Sequence, residues 1–126
     1  MRAELDAAIS VLPELLGPKV MVGVAGTVST LVALKLALPE YNREALHHQR
    51  LSRADVAALL SQLATTPLAR RRTLSGIEPG RADVIVGGAL VLAEIMDALG
   101  HGELTYSEDD ILDGLVSSLA DKRRHR

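Results

Sequence analysis

The chain has no cysteine, no tryptophan and no phenylalanine, and its only aromatic residues are Tyr41 and Tyr106. Without cysteine there are no disulfides, zinc thiolates or thiol redox chemistry, as suits a reducing cytoplasm. Without large aromatics the core has to be built from Leu, Val, Ile and Ala. A long hydrophobic run is also missing. The longest, Val84 to Ala93, is far short of the roughly 20 residues that span a bilayer. The opening "MRAELDAA" carries acids early and lacks the basic flank and apolar stretch of a secretory signal. No charge of one sign dominates either. The formal net charge is -2, which gives no nucleic-acid or lipid-binding footprint. A cytoplasmic protein with no membrane and no nucleic-acid partner is the expectation. At 126 residues the chain suits one domain, and a domain of this size buries roughly two thirds of its unfolded surface.

What is present is mainly helical periodicity. Leu5, Ile9, Leu12 and Leu15 recur at three and four residues and predict an amphipathic helix over 3–15, ended by Gly17 and Pro18. "KVMVGVA", Lys19 to Ala25, is short and β-branched and predicts a buried strand. Gly26 and Thr27 turn it into a helix over Val28–Leu38, which stops at Pro39. "PEYNREALHHQR" predicts a polar loop with some helical character. Ser52 and Asp55 form a capping-box pattern ahead of a helix whose stripe is Val56, Leu59, Leu60 and Leu63.

Residues 66–79 predict a short helix and a loop. Gly80–Leu99 is apolar on every side and long enough for a helix despite Gly87 and Gly88, each costing about 1 kcal/mol against alanine. Small residues kept at that cost permit close approach by another backbone, and Gly100 is a natural C-terminal stop. "ELTYS" predicts a second strand, and Ser107 with Asp110 repeats the capping-box pattern before "DDILDGLVSSLA". The expectation is therefore a mostly helical α/β chain with about two strands, 1–119 forming the folded part and 120–126 a charged, frayed tail. Two strands make a poor sheet on their own. The strand and the apolar helix look built for a larger sheet, so self-association or a further polypeptide partner is expected.

The chemistry-bearing residues are few. "VAGT", Val24 to Thr27, has neither the Lys-Thr ending of a phosphate-binding P-loop nor the glycine spacing of a dinucleotide fingerprint. Ala25, Gly26 and Thr27 still form a strand-to-helix turn whose free first-turn amides suit an anion. A tight turn capped by Thr27 explains the same residues. His47 and His48 are adjacent, which on a helix sets them about 100° apart and unsuited to one metal. Neither a catalytic triad nor a metal cluster emerges. Arg70, Arg71 and Arg72 form a basic run that is either a solvated face or a polyanion contact. Arg81, beside Asp83 at the head of the apolar helix, is a structural ion pair or a ligand contact.

Three segments, "VGVAGTVSTLVAL", "RRTLSGIEPGRADVIVGGALVLAEIM" and "LTYSEDDILDGL", resemble in order and spacing the C-terminal part of the Ppx/GppA exopolyphosphatase and guanosine-pentaphosphate phosphohydrolase family, from about Val20 to Leu119. The most specific element is an arginine, nine residues, then "RAD-x-I-x-x-G-A", carried by Arg71, Arg81, Ala82, Asp83, Ile85, Gly88 and Ala89. The resemblance implies part of a ribonuclease-H-like domain of the actin, hexokinase and Hsp70 superfamily. It places "VAGT" on the nucleotide-facing turn and Gly87 to Ala89 in a helix at the domain contact.

It also implies phosphate release from polyphosphate or guanosine pentaphosphate with a divalent metal, usually magnesium. The family's catalytic carboxylate, metal ligands and two phosphate loops have no counterpart in this sequence. The resemblance therefore implies part of an enzyme that is inactive by itself and partnered by the missing N-terminal portion. The other reading is a non-catalytic relative binding a nucleotide or a protein. The candidate ligand residues are Ala25, Gly26, Thr27, Arg71 and Arg81, with no catalytic residue and no metal ligand.

Overall fold

A computed structural model of the chain describes residues 1–11 and 20–124, with side chains to Asp121. Helix α1 runs Arg2–Val11 and lays its half-buried Leu5 and Ile9 toward the body. The rest of the expected first helix (Leu12, Leu15), its Gly17–Pro18 stop and Lys19 lie outside the described residues. The chain continues through strand β1 (Val22–Gly23), helix α2 (Ala25–Lys35), a single turn α3 (Arg43–Leu46) and strand β2 (Arg50–Ser52). Helix α4 (Arg53–Thr65), the short α5 (Leu68–Arg71) and a 3-10 turn at Pro79–Arg81 lead into helix α6 (Ile85–Leu99). Strand β3 (Glu103–Tyr106) and helix α7 (Ile111–Arg124) complete the order. The architecture is mostly helical over a small mixed sheet, as an α/β reading requires.

The sheet has three strands where the sequence predicts two. β3 lies in the centre, parallel to β1 with Val22 opposite Thr105, and antiparallel to β2 with Leu51 opposite Leu104. β2 hides inside a polar stretch because it needs only one buried side chain, Leu51, between the exposed Arg50 and the half-buried Ser52. Three residues give too little alternation to register as a strand pattern. β1 is shorter than expected and is an edge strand, with Val22 57% exposed rather than buried.

The capping box at Ser52 forms as the sequence predicts. The Ser52 hydroxyl accepts from the Asp55 amide at 3.0 Å, and the Asp55 carboxylate accepts from the Ser52 amide at 2.9 Å. Two other caps differ. Thr27 does not cap α2, which starts two residues earlier after the extended Val24 and has no side-chain cap. Ser107 does not cap α7: its hydroxyl accepts from the Asp109 amide at 3.1 Å and stays within the loop. Asp110 takes the capping position instead, accepting from the Leu112 amide at 2.8 Å, while Asp113 accepts from the Asp110 amide at 2.9 Å. The signature is displaced by three residues because Asp110 and Asp113 repeat the same spacing. α7 then continues to Arg124, through much of the stretch expected to be a tail.

The core is aliphatic with one aromatic, Tyr106. Leu31 and Val32 of α2, Val56 and Leu63 of α4, and Ala89 and Met96 of α6 are at most 1% exposed. They meet over Leu51 and Leu104 of the sheet. α6 is not buried all round. Ile85, Ala89, Leu92 and Met96 face inward at helical spacing, while Val84, Leu90 and Val91 are exposed. Gly88 does permit a close approach, though of a side chain rather than another backbone: a Cβ there would stand 2.7 Å from the Thr27 hydroxyl, so glycine lets α2 pack on α6. Among the described residues nothing lies within 4 Å of where a Gly87 side chain would begin.

Candidate functional site

The turn at Val24–Thr27 places a conformationally costly residue at a helix start. Val24 is extended, and Ala25 then adopts φ 66°, a left-handed conformation that costs a non-glycine residue of order 1–3 kcal/mol. This reversal turns the chain sharply into α2, so the first-turn amides and the positive end of the helix dipole face outward. Gly26 follows. A Cβ built on it would overlap the Arg81 guanidinium, with Nη2 at 2.8 Å and Cζ and Nη1 closer still. The guanidinium therefore sits in the space that glycine leaves open, fifty-five residues away in sequence but directly against the helix start.

Arg81 is held there by Glu78. Its Nε donates to Glu78 Oε2 at 2.8 Å, and the two side chains are 43% and 75% exposed. The partner is Glu78 rather than the sequence neighbour Asp83. The 3-10 turn at Pro79–Arg81 brings the two side chains together over one turn. The pair is open to solvent and worth about 0–1 kcal/mol. Arg71 is used differently. Its Nε donates to the Thr66 carbonyl at 2.9 Å and Nη1 to the Ala82 carbonyl at 2.5 Å. It ties the end of α4 to the turn that carries Arg81, and it lies outside the cleft lining.

These elements frame an open cleft of about 470 Å³. One wall is the start of α2 (Ala25, Gly26, Ser29), another the 76–81 turn with Arg81 and Glu78. Glu40 and Tyr41 come from the segment before α3, and Tyr106, Glu108 and Asp110 from the end of β3. Thr27 points away, toward Gly88, and is not in the lining. Four carboxylates and one guanidinium line the space, so the floor is acidic and the cationic corner is confined to Arg81 and the α2 amides.

Both tyrosines of the chain meet in this cleft. Tyr41 Oη donates to Glu108 Oε2 at 2.7 Å and Tyr106 Oη to Glu108 Oε1 at 2.9 Å. The Glu108 carboxylate holds the Tyr41 phenol protonated, raising its pKa, and burial does the same for Tyr106. Residue spacing carries no trace of this cluster, because Tyr41 lies 67 residues from Glu108. Among the described residues no three His, Cys, Asp or Glu side chains come together as a metal's ligands would. A resident magnesium ion therefore does not fit the described residues by themselves.

Comparison with known proteins gives the arrangement a lineage. The profile of the Ppx/GppA phosphatase family matches residues 1–123, nearly the whole sequence. The chain belongs to that family. It is 40% identical over 124 residues to exopolyphosphatase 2 of Mycobacterium tuberculosis, a match covering 95% of this chain and 39% of that protein. The Ppx/GppA member from Aquifex aeolicus superposes with a TM-score of 0.83 at 22% identity, over 97% of this chain and 40% of that one. An exopolyphosphatase from Cytophaga hutchinsonii superposes with a TM-score of 0.77 at 20% identity, over 96% and 40% of the respective chains. These two likenesses speak to the fold. The chain spans about 39% of the length of the curated exopolyphosphatase it matches. Among the described residues no helix is long and apolar enough to cross a membrane.

Proposed function

We propose that this chain is the C-terminal portion of an exopolyphosphatase-like phosphohydrolase that releases terminal phosphate from polyphosphate or guanosine pentaphosphate. Ala25, Gly26 and Arg81 form its ligand-facing corner. The observation that carries this reading is the Arg81 guanidinium seated on Gly26 at the start of α2. A bidentate donor beside free helix amides is the arrangement that phosphate oxygens require. Arg71 serves as the brace of that corner rather than as a second ligand, and Thr27 as its packing residue.

Catalysis needs more than this chain holds. Among the described residues no group is placed as a base and no ligand set for the family's magnesium comes together. The portion of the relatives' length that this chain does not span is the proposed source of both, in a cytoplasmic enzyme whose folded region includes residues 1–119. The open edge of β1, with Val20, Val22 and Val24 exposed, is where that portion or a second copy would add to the sheet. The acidic lining favours a second reading. Four carboxylates against one arginine repel a long polyanion, and they suit the alternative, a non-catalytic relative that binds a nucleotide or a protein, the latter through a basic segment.

Phosphate release from polyphosphate and magnesium separates these readings. The chain alone should give none above a buffer blank. The chain joined to a family N-terminal portion should turn over, and Arg81→Ala in that assembly should weaken substrate use with the melting temperature nearly unchanged. Turnover by the chain alone, or full activity of the Arg81→Ala assembly, would overturn the proposal.

A further inference from the structure

The segment from Leu38 to His47 is held to the cleft by polar contacts, one of which, the Glu108 amide to His47 Nδ1, requires an unprotonated ring nitrogen. It begins after Ala37 and ends before His48, both non-glycine residues in the left-handed conformation, at φ 50° and 65°. Its one fully buried side chain is Leu46. Pro39, Glu40 and Tyr41 at its start line the cleft, so its position sets the shape of that wall.

Glu108 is the fixture on the other side. Its two carboxylate oxygens accept from Tyr41 and Tyr106, and its own amide donates to His47 Nδ1 at 3.0 Å. Arg43 adds an ion pair to Asp109 at 2.6 Å, and the His48 amide donates to the Tyr106 carbonyl at 2.8 Å.

An amide nitrogen can only donate, so His47 Nδ1 must carry a lone pair. The ring is therefore neutral, with its proton on Nε2. A proton added at Nδ1 would set N–H against N–H and remove the bond. The groups that face His47 are the His48 ring, with centroids 3.7 Å apart, Arg43 and Asp109, and the Tyr41–Glu108–Tyr106 cluster. Ser29 of α2, which faces Tyr106, is uncharged.

We propose that His47 and Glu108 form a latch that holds the Leu38–His47 strap as a wall of the cleft while His47 is neutral, and releases it when His47 takes a proton. Loss of that bond loosens the Glu108 loop and shifts with it Tyr41, the exposed ring at the cleft mouth. The consequence for a ligand rests on the cleft reading above, but the latch itself does not.

NMR of this chain between about pH 8 and pH 5, the range in which histidine changes charge, tests it without any ligand. Long-range nitrogen–proton spectra should show neutral His47 protonated at Nε2. The Glu108 amide and the Tyr41 ring resonances should move with the same midpoint as the His47 ring. In His47→Gln the side-chain oxygen can still accept from the Glu108 amide and does not titrate, so the Tyr41 movement should vanish. In His47→Ala, Tyr41 should sit in its released state at every pH. A Tyr41 signal that stays fixed through the His47 titration overturns the latch, as does movement that persists in His47→Gln. Should His47→Ala fail to fold by circular dichroism, the wild type and His47→Gln still decide the matter. Failure here leaves the phosphate-release reading untouched, because no phosphate takes part.

Discussion

Replacing Gly26 by alanine tests whether the Arg81 guanidinium occupies the space that this glycine leaves. The new Cβ would overlap the guanidinium. Ordinary carbon contacts lie near 3.5–4.0 Å, so the head group must retreat by roughly 2 Å. It is the end of a flexible side chain, 43% exposed, and can swing into solvent. Two terms then set the change in stability. Alanine in place of glycine gains about 1 kcal/mol in a helix, less so near the end. Displacing an exposed Arg81–Glu78 pair loses about 0–1 kcal/mol. The single variant should therefore melt close to wild type. In an Arg81→Ala background the three atoms nearest the new methyl group are gone, and Gly26→Ala should stabilise by up to about 1 kcal/mol, at most a few degrees for a domain of this size. Thermal melts of the wild type, both single variants and the double variant give the coupling directly. The expected coupling is the worth of the displaced pair, up to about 1 kcal/mol. A coupling of the opposite sign, with Gly26→Ala more stabilising in the presence of Arg81 than in its absence, would refute the contact. A loss above about 2 kcal/mol that persists without Arg81 would show that backbone, not guanidinium, fills the space.

Ser52→Ala removes the cap of α4 and should cost about 1 kcal/mol by denaturant unfolding, while Ser52→Asp, which retains an acceptor, should recover much of it. The Lys35 ammonium at 2.7 Å and the Ser52 amide hold Asp55 below the usual carboxylate range. Its contribution to stability is therefore present above the unfolded-state pKa and is lost as pH falls through the lower folded-state value. Asp55→Asn should flatten the acid limb of the stability profile, and an unchanged limb would count against the assignment. Arg71→Ala strands the Thr66 and Ala82 carbonyls and should destabilise by about 1–3 kcal/mol. Arg71→Lys, which cannot span both carbonyls with one planar fork, should recover only part of that loss in the same melts.

Most helices were legible in the residues, for local reasons. Val56, Leu59 and Leu63 repeat at the helical period and are buried in the structure, and the Ser52–Asp55 box closes over three residues without help from elsewhere. The central strand at Glu103–Tyr106 declared itself because it alternates and is followed by turn residues. The family was legible too, since "GRADVIVGGA" fixes the order and spacing of residues that serve packing as well as any ligand.

What could not be found this way depends on distance along the chain. β2 is a strand only because β3, fifty residues later, offers it a partner. Thr27 gave up the expected cap because Ala25 turns the chain earlier and Gly88 opens a place for its side chain. Ser107 lost its helix to Asp110 because two aspartates at equal spacing competed for one helix start. The cleft is the extreme case: Gly26 is shaped for Arg81, and Glu108 for Tyr41 and His47. Hydrophobic period and capping are written within one or two turns, where neighbouring residues choose the backbone conformation. A cleft is made where separate elements meet, and their meeting is fixed by the burial of Leu31, Leu63, Met96 and Leu104 in a common core.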